Sequence, residues 1–331
     1  MTTNAESLHD ALQSIVCAHI PGATGLHSLK QLSAGASMET WSFDATSNGG
    51  AIPLLLRRRP PGNAHHLDFV RLGAEAAVIQ AAAASGVAAP VVRYVLQPDD
   101  GVGGGFLMER IEGETIARKI LRDRAYESIH RQLLEQIGET AARIHAVPLA
   151  RLPSLRTLTI EQTLDEWRQE CRQQGQHRPV FELALRYLHD HAPNVRFTPR
   201  LVHGDYRMGN LIVGPEGLRA VLDWELSHIG DPMQDLAWLC LPPWRFGKID
   251  APAGGLGARE DLFAAYESAS GERVDRDRVR YWEVLGSLKW GLMCSGMVEW
   301  FRSGRDRSVE RAMIARRASE SELDLLRILK E

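Results

Sequence analysis

Apolar positions in the first third of the chain switch between two periods. Near Glu6 to His19, residues Leu8, Leu12, Ile15 and Val16 fall on one face of a helix. Three strand-like segments follow at about Leu29 to Ser33, Glu39 to Ala45 and Ala51 to Arg58, with Gly35 and Asn48-Gly49-Gly50 as the turns between them. An alanine-rich helix is expected over Leu67 to Ala84. "VVRYVL" after Pro90 and "GGGFLMER" read as two further strands. The order strand-strand-strand-helix-strand-strand predicts a small antiparallel sheet carrying one helix.

From about Glu112 the helical period takes over. Helices are expected at Tyr126 to His145, Ile160 to Gln174, Val180 to His191, Asp235 to Leu241, Arg259 to Ser270, Val274 to Phe301 and Val309 to Leu329. One stretch departs from that period. Between Leu201 and Leu222, "NLIV", "GPEG" and "LRAVLD" read as a β-hairpin. The expected class is α+β with two lobes: residues 1–110 a small antiparallel-sheet lobe and residues 111–331 a larger, mainly helical lobe.

Bulk properties narrow the function classes. Net charge is −3, which gives no electrostatic case for nucleic acid or an anionic membrane. Cys17, Cys171, Cys240 and Cys294 form no CxxC pair, which argues against zinc and against a disulfide framework. The polar start "MTTNAESLHD" has no basic n-region, and Ala74 to Val92 is too short and too mixed to span a bilayer. A cytoplasmic protein is expected. Oligomeric state is not legible.

The chemistry concentrates in "HGDYRMGN", residues 203–210, and "VLDWE", which ends the hairpin that follows. A hairpin brings its ends together, so Asp223 is expected to approach Asn210, with Asp205 shortly before both. Three converging oxygen-bearing groups suit a hard cation such as Mg²⁺, and a carboxylate off the metal can orient or deprotonate a hydroxyl. The plainer alternative is that Asp and Asn here are turn formers.

"HGDYRMGN", "LDWE" and "GDPMQDLAW" together resemble the aminoglycoside phosphotransferase and choline kinase superfamily, whose fold is protein-kinase-like. The Asp-to-Asn spacing is that of the kinase catalytic loop H-R-D-x-x-x-x-N. The far helix "YWEVLGSLKWGLMCSGMVEWF", with "GDPMQDLAW", looks most like the branch of kinase-like domains found fused to acyl-CoA dehydrogenases; the resemblance covers nearly the whole chain, strongly at 203–240 and more loosely elsewhere.

The resemblance implies roles residue by residue. Asp205 is the catalytic acid-base group, and Asn210 and Asp223 hold Mg²⁺. His203, Asp231 and Asp235 support the loop. In "LLLRRRPPG", strand alternation puts Leu55, Arg57 and Arg59 on one face and Leu54, Leu56 and Arg58 on the other. By position Arg57 contacts the ATP phosphates, with Glu75 on the following helix as its partner; Arg replaces the usual Lys there. For three consecutive arginines, a solvated strand edge is the alternative. Gly35 and Ser37 fall in the nucleotide-covering turn, which lacks G-x-G-x-x-G. Met108 and Arg110 fall in the hinge, where the backbone over Met108 to Arg110 would pair with an adenine edge.

The implied activity is transfer of the ATP γ-phosphoryl group to a hydroxyl of a small molecule, a hydroxyacyl-CoA or another metabolite. The competing readings are an aminoglycoside-type antibiotic kinase, a metal phosphohydrolase built on His203 and Asp205, and a non-catalytic nucleotide-binding pseudokinase. The phosphohydrolase lacks a second His cluster, and the pseudokinase reading has against it the retention of Asp205, Asn210 and Asp223.

Overall fold

The structure, a computed structural model, describes residues 5–34, 38–60, 66–175, 177–193, 197–304 and 306–330. It divides into two units: residues 1–115, 147–155 and 210–227 form the first, and residues 116–146, 156–209 and 228–331 the second.

The first unit opens with helix α1 (Ala5–His19), followed by β1 (Ala23–Ala34), β2 (Glu39–Ser47), β3 (Gly50–Arg59), α2 (His66–Ala84), β4 (Val92–Val95) and β5 (Gly104–Glu109). The five strands make one antiparallel sheet in the order β1-β2-β3-β5-β4. Its core forms because two periods meet. Leu8, Leu12, Ile15 and Val16 line one stripe of α1, and they pack with Phe43, Leu54, Leu56 and Leu107 from alternate strand positions. Helix α2 packs on β4 and β5.

After β5 the chain runs through α3 (Ala117–Arg122), α4 (Arg124–Glu127), α5 (His130–His145), α6 (Ile160–Gln174), α7 (Pro179–Asp190), β6 (Arg200–Val202), the hairpin β7 (Leu211–Gly214) and β8 (Gly217–Val221), and β9 (His228–Gly230). It ends with α8 (Met233–Cys240), α9 (Arg259–Ser270), α10 (Arg276–Arg302), α11 (Val309–Ala315) and α12 (Ala318–Lys330). The hairpin groups with the first unit and the other elements of this stretch with the second.

The expected elements are present, with several differences. Helix α3 has no counterpart in the expected order, and the single helix expected over Tyr126 to His145 is α4 and α5, interrupted at Ser128 and Ile129. Strand β1 begins at Ala23 rather than near Leu29. Ser28 has φ +58° and the pairing register slips between His27 and Lys30, so the first half of β1 breaks the alternation that marks a strand. The expected helix over Val309 to Leu329 is two helices, with a turn in which the Arg317 amide donates to Ile314 O. The short pair β6–β9 was not anticipated; three residues are too few to show a period.

The three arginines of β3 are not on a sheet edge, since β3 is paired on both sides. Arg58 is 1% exposed and shares the face of Leu54 and Leu56. Its Nε donates to Glu39 Oε2 at 2.9 Å and Nη1 to Val102 O at 3.0 Å. Gly105 permits this close pairing: a Cβ there would sit 2.2 Å from Arg57 O and 2.8 Å from Arg58 Cα. Removing Arg58 empties a fully buried site, strands the Val102 carbonyl and leaves the partly exposed Glu39 without its cation. Arg58→Ala is therefore expected to destabilise the fold by about 3 kcal/mol or more, read as a lowered denaturation midpoint; a loss under about 1 kcal/mol would mean the pair contributes no more than a surface one.

Candidate functional site

In the first unit, β3 alternation turns Arg57 to the face opposite Arg58, and there it meets three carboxylates. Its Nε lies 3.3 Å from Glu75 Oε1, and its Nη2 lies 2.9 Å from both Asp223 Oδ1 and Glu225 Oε2. Glu75 comes from α2 and is buried, while Asp223 and Glu225 follow β8. Burial pushes the Glu75 carboxyl up to about 7, and the nearby Asp223 and Glu225 charges add to this against the pull of Arg57.

The hairpin sets Asp223 beside Asn210, as its folding back requires. Leu211 pairs with Val221, and the Leu222 amide donates to Asn210 O at 2.8 Å. Asp223 itself is left-handed, φ +64° and ψ +64°, a conformation that a non-glycine residue adopts rarely and that recurs at functional positions. Trp224 anchors the turn from below, buried, with its indole N–H on Val221 O at 3.0 Å. Arg57, Glu75, Met108, Arg110, Asn210 and Asp223 all line one cavity of about 420 Å³ within this unit.

The oxygen donors here fit a hard cation. One arginine among three carboxylates leaves a surplus of negative charge. Asp223 and Asn210 offer a carboxylate and an amide on the same cavity. Among the described residues no group of three or more His, Cys, Asp or Glu could hold a metal by itself. Two protein ligands are enough for Mg²⁺, which keeps waters and takes substrate phosphates as its other ligands.

The hinge expectation needs a correction. The Glu109 amide donates to Val91 O at 2.9 Å and the Arg110 amide to Pro53 O at 3.0 Å, so both are engaged by the protein. The Arg110 side chain is held by Asp44 and Ser42, at 2.9 and 2.8 Å, and by Glu112. Neither amide is open to a base edge. Gly35 and Ser37, expected in the covering turn, lie outside the described residues. Sequence reasoning missed Glu225 as a partner of Arg57; its place two residues after Asp223 was the available signal.

The second unit holds Asp205. The carboxylate of Asp235, on the first turn of α8, accepts the His203 amide at 2.8 Å and the Gly204 amide at 2.9 Å. His145 Nε2 lies 3.1 Å from the same carboxylate, and its Nδ1 lies 2.9 Å from the Tyr266 hydroxyl. Burial pushes Asp235 up, but the His145 hydrogen bond and charge and the His203 amide outweigh it and hold the carboxyl below its ordinary value. Asp231 caps α8 by accepting the Met233 amide at 3.0 Å, and its other oxygen takes the Trp282 indole N–H at 2.9 Å.

Within the loop, Gly204 has φ +84°, and His203 is fully buried with Nδ1 accepting the Asp205 amide at 3.2 Å. Asp205 is positioned by Trp238, whose indole N–H reaches Oδ1 at 2.7 Å, and by Arg207 Nε at 3.0 and 3.1 Å from its two oxygens. His145, Arg207 and Trp238 were not singled out from the sequence. His145 lies 90 residues from its partner Asp235, a separation no local pattern reports.

A two-lobed fold with a five-stranded antiparallel sheet and a larger helical part is the protein-kinase-like fold of small-molecule phosphotransferases. The sequence profile of the phosphotransferase enzyme family, APH, matches residues 28–282, and the chain belongs to that family. It is 30% identical over 258 residues to mouse acyl-CoA dehydrogenase family member 10, covering 73% of this chain but only 22% of that relative's length. Among solved structures, a Ralstonia eutropha protein provisionally named an aminoglycoside phosphotransferase superposes with TM-score 0.77 at 20% identity, over 97% of this chain and 98% of that one. A thermostable aminoglycoside phosphotransferase APH(4)-Ia variant, crystallised with ADP and hygromycin B, superposes with TM-score 0.63 at 17% identity, over 98% of both chains.

The raised Glu75 carboxyl has a signed consequence. The folded protein binds this proton more tightly than the unfolded chain, so Glu75 favours folding below its ordinary value near 4.5, and that contribution is lost as pH rises to about 7. The loss is on the order of 3 kcal/mol. Melting temperatures of the wild type and Glu75→Gln between pH 4.5 and 7.5 should converge at low pH and separate toward neutrality, with the variant the flatter. Parallel curves would show that Glu75 titrates normally.

Proposed function

We propose that the chain is an ATP-dependent small-molecule O-phosphotransferase, with lobes at residues 1–110 and 111–331. The observation that carries this reading is the cavity of about 420 Å³ on which Arg57, Glu75, Asn210 and Asp223 converge. An arginine among carboxylates, beside an Asp–Asn pair, is the chemistry that receives a metal-bound polyphosphate. Family membership and the nucleotide-bound neighbour support it.

Asn210 and Asp223 would hold Mg²⁺, and Arg57 would contact the phosphates with Glu75 fixing its orientation. When bound, the metal neutralises charge on the phosphates and draws electron density from the γ-phosphorus. Asp205 orients the acceptor hydroxyl. It takes the proton as the acceptor oxygen bonds the γ-phosphorus and the bridging oxygen leaves with ADP. Trp238 and Arg207 fix the Asp205 carboxylate, and Asp235 fixes the loop beneath it. With the Glu109 and Arg110 amides engaged, Ile111, which also lines the cavity, supplies the next backbone donor for a base.

The two acids should separate experimentally. Asp205→Asn keeps shape and removes the base, so Mg-ATP should still bind while turnover falls by roughly 10²- to 10⁴-fold. Asp223→Ala removes a metal ligand, so Mg-ATP binding should weaken along with turnover. Calorimetric titration beside ADP-release rates reads both. Nucleotide lost in the Asp205 variant and retained in the Asp223 variant would reverse the roles, and full activity in both would end the kinase reading.

A further inference from the structure

Asp205 stands at one end of an aromatic and basic cluster that lies wholly within the second unit. Trp238 of α8 donates to the Asp205 carboxylate at 2.7 Å. Over the Trp238 ring, 4.5 Å from its centroid, sits the ammonium of Lys289 on α10, with the Trp167 ring of α6 at 5.9 Å. Trp244, just beyond α8, is 5.7 Å from Trp238 and meets Trp290, the residue after Lys289, edge-on at 4.9 Å. The Arg207 guanidinium lies 4.7 Å from the Trp244 centroid.

Two observations give this cluster binding capacity that the protein itself does not use. Lys289 has no carboxylate within ion-pair distance among the described residues, although burial pushes its ammonium down and only the Asp205 and Asp235 charges pull it back up. The indole N–H groups of Trp244 and Trp290 are buried, and neither has a hydrogen-bond acceptor. A buried donor without an acceptor has lost its hydration and gained nothing in return. The edge-on contact between the two rings serves one N–H at most, because only one ring presents its edge to the other's face. Such groups persist in native proteins where something else completes them.

The charge balance gives the sign of the missing partner. Arg207 and Lys289 are two cations against Asp205, while Asp235 is taken up by His145 and the two loop amides. A cationic acceptor would meet Lys289 with like charge. An acceptor carrying an anion would supply Lys289 with its counter-charge and the indoles with an acceptor atom. We propose that the hydroxyl acceptor bears an anionic group, a carboxylate or a phosphate, near the hydroxyl it presents to Asp205, and that Lys289 with the Trp244 and Trp290 N–H groups receives that anion. This inference rests on the phosphotransferase reading and adds the substrate class.

The test is an ADP-release assay with Mg-ATP and six probes: 3-hydroxybutyrate, 3-hydroxybutyryl-CoA, glycerol 3-phosphate, glycerol, choline and kanamycin. Each probe is also titrated calorimetrically. At least one anionic probe is expected to bind and to stimulate ADP release above glycerol, choline and kanamycin, and the responding arm distinguishes carboxylate from phosphate. Lys289→Met should raise KM for that probe about 10- to 100-fold, the span of one charge-assisted contact. The change in kcat should be smaller, and Lys289→Arg should recover part of the loss. The melting shift caused by Mg-ADP should be the same in wild type and Lys289→Met, which separates a binding loss from a folding loss. Preference for glycerol, choline or kanamycin, an unchanged KM in Lys289→Met, or no anionic probe binding at all overturns the inference. No melting shift with Mg-ADP in the wild type overturns the phosphotransferase reading instead.

Discussion

One buried carboxylate holds the Asp205 loop. Asp235 has both oxygens committed, to the amides of His203 and Gly204 and to the His145 ring. An ionised carboxylate in such a place is tolerated only when hydrogen bonds replace its hydration, and here they do so strongly enough to keep it ionised. The same bonds fix the backbone on the N-terminal side of Asp205, including the left-handed Gly204. Asp205 is then held from its far side by Trp238, which lies one turn beyond Asp235 on α8. One short helix thus sets both the loop's path and the carboxylate's direction, the kind of support that positioned acid-base groups require.

The first unit uses charge differently. There the cluster sets three carboxylates around one arginine, and burial first, with the Asp223 and Glu225 charges adding to it against the pull of Arg57, pushes Glu75 up to about 7. Of the three carboxylates only Glu75 is buried with Arg57, while Asp223 and Glu225 are partly exposed, so the surplus charge sits on the two that water and a ligand can reach. Surplus negative charge beside a left-handed Asp223 is strain and electrostatics pointing the same way.

Much of this was legible in the sequence, and the reason differs by residue. The sheet and α1 showed through because their apolar positions recur at fixed periods. The nearness of Asn210 to Asp223 showed through because a hairpin is a local structure whose ends meet by construction. Alternation alone separated Arg57 from Arg58 and sent them to opposite faces of β3. It did not show that Arg58 would be buried, since its partners come from elsewhere in the chain, Glu39 from β2 and Val102 from the loop before β5. His145, Trp238 and Lys289 were opaque for the same reason: their partners are distant in sequence and meet only once the helices pack. The hinge amides were misjudged because their partners, Val91 O and Pro53 O, depend on strand register, which the pattern of side chains leaves open.

Arginine at position 57, where the protein-kinase pattern has a strand lysine, suits the same cluster. A lysine ammonium is one point of charge, and three carboxylates around it would crowd into one shell. The guanidinium spreads its charge over a plane, with Nε turned to Glu75 from α2 and Nη2 to Asp223 and Glu225 beyond β8. It ties three stretches of chain, β3, α2 and the end of the hairpin, in one orientation. Because the fork is rigid, holding Glu75 at Nε dictates where the Nη groups lie. The arginine is therefore not a looser substitute for lysine. It makes the direction of Glu75 and the direction of Asp223 a single geometric condition, met or lost together.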